Sequence, residues 1–166
     1  MYQAPSLSAA GLSAEAFYLE LGQQLAGLLA GERNWLANAA NCAALIFDQL
    51  ADLNWAGFYF VEAASGDLVV GPFQGKPACA RIAPGRGVCG TALAEARAIL
   101  VPDVHAFPGH IACDAASRSE LVIPLVKAGR MLGVLDLDSP LPGRFSEADL
   151  AGLEQLMAQL LEASDT

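Results

Sequence analysis

Apolar side chains recur at Phe17, Leu21, Leu25, Leu28 and Leu29, the three-to-four spacing of one helix face. Ser13 stands where an N-cap belongs, with Leu12 placed to pack on Phe17. After Gly31 a second helix is predicted from about Glu32 to Leu50, with Leu36, Ala39, Ala43, Phe47 and Leu50 on its apolar face and Asn54 as its breaker. The period then shortens. WAGFYFVE (55–62) and DLVVGPF (67–73), joined through Ala64-Ser65-Gly66-Asp67, read as a hairpin. CARIA (79–83) and AILVPD (98–103) read as strands, and PGRGVCG (84–90) as a tight turn into the short helix GTALAEAR. From His105 to Ser119 no period holds, and a loop of that length tends to carry function. ELVIPLVK (120–127) and MLGVLDLDS (131–139) form a second hairpin around Ala128-Gly129-Arg130. Ser146 with Asp149 then caps a final helix that buries Leu150, Leu153, Leu156, Met157 and Leu160.

Strands that meet in hairpins make a mostly antiparallel sheet, and helices at both ends of the chain must cover one of its faces. The fold class is therefore α+β: a single domain over residues 13–164 behind a short extension, 1–12, with the long loop and the Gly-rich turn left for the opposite face.

In MLGVLDLDS the alternation of a strand sends Leu132, Val134, Asp136 and Asp138 one way and Met131, Gly133, Leu135 and Leu137 the other. Two carboxylates on one face of so apolar a strand need a reason, and Glu120 opens the adjoining strand. Crowded acids raise one another's pKa, so one can stay protonated near neutral pH and act as an acid, or the group can hold an ammonium. Trp55 and Tyr59 share a strand face with Gly57 between them, as core or as an aromatic wall for a small ligand.

The chain has 166 residues and a net charge of −9, which disfavours nucleic acid because no basic cluster exists to neutralise phosphates. No apolar run is long enough to span a membrane, and MYQAPSLSAAGL lacks the features of a signal peptide, so a cytoplasmic protein is expected. In that compartment a disulfide is more often catalytic than structural. Cys42 lies among Ala and Leu and reads as core. Cys79, Cys89 and Cys113 stand in loop-like surroundings, and any two of them could pair. A metal site using these three with His105 and His110 is the rival reading, but their separations fit no usual zinc spacing, and no metal is expected.

The element order resembles a GAF domain. More narrowly, NWAGFYF, GPFQGKPAC, PGRGVCGTA, DVHAFPGHIACDAASRSE and GVLDLDS resemble the free methionine-R-sulfoxide reductases. The resemblance implies thiol-dependent reduction of free methionine-R-sulfoxide without a cofactor. It implies Cys113 as the attacking thiol, Cys79 as its resolving partner and Cys89 as a spare or alternative thiol. It further implies that Glu120, Asp136 and Asp138 bind the sulfoxide oxygen and the ammonium, that Trp55 and Tyr59 contact the methyl or side chain, and that a thioredoxin-type dithiol is the reductant. A homodimer is expected. The competing expectation is a GAF module that binds a small ligand or senses redox state without turnover.

Overall fold

The computed structural model describes residues 11–111 and 114–166, so Cys113 and nearly all of the N-terminal extension lie outside the described residues. Among the described residues four α-helices, α1 (Ala14–Leu29), α2 (Trp35–Gln49), α3 (Gly87–Glu95) and α4 (Glu147–Ala163), and a 3-10 turn (Val104–Ala106) accompany six strands. These are β1 (Trp55–Val61), β2 (Leu68–Gly75), β3 (Arg81–Ile82), β4 (Ile99–Val101), β5 (Ser119–Lys127) and β6 (Arg130–Ser139). The strands form one antiparallel sheet in the order β3-β2-β1-β6-β5-β4. The two hairpins predicted from the sequence are its centre, joined by β1 against β6.

Capping sets the helix starts. Ser13 accepts from the Ala16 amide and Asn34 from the Ala37 amide, while Ser146 and Asp149 complete a reciprocal capping box. Asp149 also accepts a hydrogen bond from the Tyr18 hydroxyl at 2.7 Å. That bond ties α4 to α1 where Gly152 lies so close to the Tyr18 ring that a Cβ there would overlap it.

One core lies between α1, α2, α4 and the sheet, and includes Leu21, Leu25, Ile46, Phe58, Leu121, Leu135, Leu137 and Leu153. Each such side chain contributes about 1.5–3 kcal/mol relative to exposure. A second, smaller cluster lies on the other face, under α3 and the segment after β4, and includes Trp55, Tyr59, Val88, Cys89, Val122 and Val134. The terminal helices thus share one face of the sheet, as expected.

Several local expectations need correction. The second helix starts at Trp35 because Asn34 supplies the cap. Leu36 is 61% exposed, and the buried face runs through Asn38, Ala39, Cys42, Ala43 and Ile46 instead. The third helix starts at Gly87, so Cys89 sits in its first turn and not in a loop. Leu132 packs with the helix-side core although Asp136 and Asp138 face the other way. The cause is a bulge: Leu125 pairs with Gly133 but Val126 with Met131, leaving Leu132 as the extra residue that resets the alternation.

Candidate functional site

Strand register builds the floor of the site. Across the sheet, Trp55 of β1 pairs with Asp138 of β6, and Asp138 pairs with Glu120 of β5. In the next row on the same face, Gly57 pairs with Asp136 and Asp136 with Val122. The three acids are therefore neighbours because the pleat repeats every two residues. Gly57 is required here: a Cβ would overlap the Phe73 side chain and lie 2.8 Å from the Trp55 ring. Its absence lets Trp55 stack on Phe73 at 5.2 Å and on Tyr59 at 5.6 Å, a continuous aromatic wall beside the acids.

The roof comes from α3 and two loops. A cleft is lined by Trp55, Tyr59, Glu120, Asp136 and Asp138 from the sheet and by Gly87, Val88 and Cys89 from α3. His110, Ile111, Asp114 and Ser117 enter from the segment between β4 and β5, and Lys76 with Pro77 from the loop after β2. Cys89 Sγ lies 3.9 Å from Glu120 Oε1, and His110 Nε2 lies 3.6 Å from Glu120 Oε2.

Burial governs the charges. Glu120 is held well above the usual carboxylate range by burial and then by Asp138, and Asp136 by burial and then by Glu120. Asp138 is raised by burial and then by Asp136. The Cys89 thiol is raised by burial first and by the field of Asp136 and Glu120 next, so it stays protonated although it stands at a helix N-terminus, where a thiol pKa is ordinarily lowered. Burial also raises Tyr59 and lowers His110, so the phenol and the imidazole are both neutral. Both shifts disfavour the charged forms of His110 and Glu120 at their contact. Asp136 Oδ1 is buried and accepts no hydrogen bond from any described residue.

The cleft sets three buried carboxyl groups, each with a raised pKa, and a thiol beside an aromatic wall. It can donate hydrogen bonds to a polar ligand oxygen and receive a small apolar group. Ligand atoms of Cys89, Glu120 and Asp136 lie within 4.8 Å of one another, so these three could hold a cation only by giving up their protons. That set differs from the cysteine–histidine cluster weighed from the sequence, and His105 is exposed outside the cleft.

All five substrate-binding residues expected from the sequence line the cleft, as does Cys89. Cys79 is half-buried against the α3-side cluster, three residues beyond the cleft-lining Lys76. Cys42 is buried in α2, its thiol pushed up to about 12. Sequence reasoning did not place Lys76, Asp114 or Ser117 at the cleft. It took Asn54 only as a helix breaker, although Asn54 donates to Asp114 and Ser117 there.

Stability should record the acid cluster. Each acid's folded pKa is raised above the unfolded value of about 4, so its contribution is complete below about pH 4 and is lost as pH rises through the raised folded values. Thermal unfolding of a Glu120→Gln, Asp138→Asn double variant is expected to lose less Tm between pH 5 and 8 than the parent. Parallel curves would refute the assigned direction.

The GAF domain family matches residues 37–163. The chain is 55% identical over 144 residues to the free methionine-R-sulfoxide reductase of Escherichia coli, covering 87% of this chain and 86% of the relative. It is 45% identical over 144 residues to the free methionine-R-sulfoxide reductase of Saccharomyces cerevisiae, covering 83% and 79%. Among solved structures, that of free methionine-R-sulfoxide reductase from Neisseria meningitidis in complex with its substrate superposes with a TM-score of 0.91. That pair is 42% identical, over 98% of this chain and 95% of the other. Among the described residues no helix is long and apolar enough to cross a membrane.

Proposed function

We propose a reaction course on the premise that the chain belongs to the free methionine-R-sulfoxide reductase family, whose fold is the GAF domain. The reaction is the reduction of free methionine-R-sulfoxide to methionine. The observation that carries the course is the buried trio Glu120, Asp136 and Asp138, each held above the usual carboxylate range by burial and by one another, with Asp136 Oδ1 unpartnered among the described residues.

Cys113 attacks the sulfoxide sulfur as a thiolate. That attack forms a bond between the Cys113 sulfur and the substrate sulfur, while a proton from the acid trio passes to the sulfoxide oxygen. The oxygen then transfers to the Cys113 sulfur, its bond to the substrate sulfur and the sulfur–sulfur bond both break, and Cys113 is left as a sulfenic acid while methionine departs. The Cys79 thiol then attacks that sulfur: an S–S bond forms, the S–O bond breaks, and the oxygen leaves as water. A thioredoxin-type dithiol reopens the disulfide by exchange and is itself oxidised. The choice of the pair is supported by elimination, and which of the two attacks is taken from the resemblance. Cys42 is core, and Cys89, though lining the cleft, is held as a thiol. That leaves Cys113 and Cys79 as the redox pair, with Cys89 a proton-bearing wall residue.

Glu120 and Asp138 face each other across the β5–β6 ladder, and a substrate ammonium supplies the charge that lets one of them ionise. The stacked Trp55 and Tyr59 receive the S-methyl end. We place this chemistry in the cytoplasm, whose thiol pools would recycle the disulfide, and in a homodimer.

The test is turnover. Reduced protein with dithiothreitol, and then with thioredoxin, is given the free R epimer, the free S epimer or a sulfoxide-containing peptide. Methionine from the free R epimer alone is expected. No methionine from any substrate, with the thiols confirmed reduced, would overturn the reading in favour of a ligand-binding or redox-sensing module.

A further inference from the structure

Both segments that carry the redox cysteines are tied to one dipeptide. The two protons of the Asn54 side-chain amide are both engaged: Nδ2 donates to Asp114 Oδ2 at 3.2 Å and to Ser117 Oγ at 3.0 Å. Asp114 directly follows Cys113 in the chain. The neighbouring Trp55 donates its indole N–H to the Lys76 carbonyl at 3.1 Å, and Lys76 leads to Cys79 three residues on. The Lys76 ammonium closes the circuit on Asp114, 3.1 Å from Oδ2.

The same unit is anchored to the acid floor. The Asn54 backbone amide donates to the Asp138 carbonyl at 3.0 Å. Ser117 is buried, and its hydroxyl stands beside the Asp138 carboxyl. Asp114 also accepts from the Ala116 amide at 3.0 Å, which shapes the turn between the two groups that Asn54 holds. Asn54 Oδ1, by contrast, is buried and accepts nothing from any described residue. Among the described residues it is the donor side of the amide that makes the contacts.

We propose that Asn54 is a positioning residue: its amide fixes Asp114 and Ser117, just after Cys113 in the chain, beside the acid floor, and Asp114 in turn meets Lys76, at the start of the segment that leads to Cys79. An aspartate here would set two carboxylates against each other at Asp114, and an alanine would release Asp114 and Ser117 together. The Lys76–Asp114 pair is the weaker tie because the Lys76 side chain is 69% exposed and solvent screens its charge. The amide is the principal tie. The proposal rests on the reading in which Cys113 attacks and Cys79 resolves.

The test is Asn54→Ala in the full chain, assayed for kcat, KM, Tm and trapping of sulfenic acid by a dimedone-type probe during one turnover without reductant. The expected result is a fall in kcat of about tenfold or more, a KM changed by less than about threefold, and sulfenic acid that becomes trappable on Cys113 because Cys79 closes on it more slowly. The exchanged pair Asn54→Asp with Asp114→Asn reverses donor and acceptor across the same contact and should recover part of the lost rate. Should Asn54→Ala fold poorly, Ser117→Ala and Asp114→Ala, which each cut one arm, are expected to show the same trapping. Wild-type kcat and trapping in a folded Asn54→Ala protein, or a loss that only follows the folded fraction, would overturn the proposal. A Cys113→Ser control separates the two readings. If it is inactive while Asn54→Ala is normal, the positioning role alone falls. If it is active, or the probe labels another cysteine, the assignment beneath it falls as well.

Discussion

Replacing Cys113 with serine is expected to reduce methionine formation by roughly 10^3-fold or more, with substrate affinity largely retained. The acid floor of the cleft is built from β1, β5 and β6, whose pairing does not depend on residue 113. The loss should therefore fall on kcat. A serine hydroxyl is neither ionised near neutral pH nor able to accept oxygen from a sulfoxide. Cys42 and Cys89 are not adequate substitutes. Cys42 is sealed in α2, and Cys89 sits among carboxyls that oppose its ionisation. Methionine release measured against binding of the unreacted sulfoxide distinguishes this outcome from a general loss of folding. A Cys113→Ser protein that turns over at the parent rate would assign the attack to another sulfur.

Glu120→Gln is expected to lower kcat by about 10^2 to 10^4-fold, the span associated with loss of a positioned general acid. Two effects act in the same direction. The amide can still donate a hydrogen bond but cannot deliver a proton to the departing oxygen. Glu120 is also the second cause, after burial, of the raised Asp136 pKa, so its removal lets Asp136 ionise at lower pH. The alkaline limb of the kcat profile should accordingly shift to lower pH in the variant. A variant with full kcat and an unmoved alkaline limb would show that the proton comes from elsewhere.

Much of this site could be read from the chain because it is built on strands. The two-residue repeat of GVLDLDS put Asp136 and Asp138 on one face, and the hairpin placed Glu120 opposite, as the Glu120–Asp138 pairing has it. The same rule failed at Leu132, where a bulge resets the alternation without any local signal beyond Gly133, whose Cβ would overlap the Tyr59 carbonyl. Leu36 misled because periodicity reports a stripe and not which side of it meets the sheet. Cys89 was read as a loop residue because glycines on both sides hid a helix that begins with Gly87. Asn54 was legible only as a breaker. Its partners lie 60 and 63 residues away, a distance over which spacing carries no information. The substrate itself was never in the periodicity. It came from motif resemblance, and the physical reading supplied a cleft of acids and thiols beside an aromatic wall.

The measurement that tests the central claim most directly is the stoichiometry of one turnover. Fully reduced protein is mixed with excess free methionine-R-sulfoxide and no reductant, methionine is counted, and the cysteines are mapped by peptide mass. The account predicts one methionine per chain, two thiols lost, a Cys79–Cys113 disulfide, and Cys42 and Cys89 still alkylatable after unfolding. A disulfide that includes Cys89, or methionine formed with no loss of thiols, would contradict it.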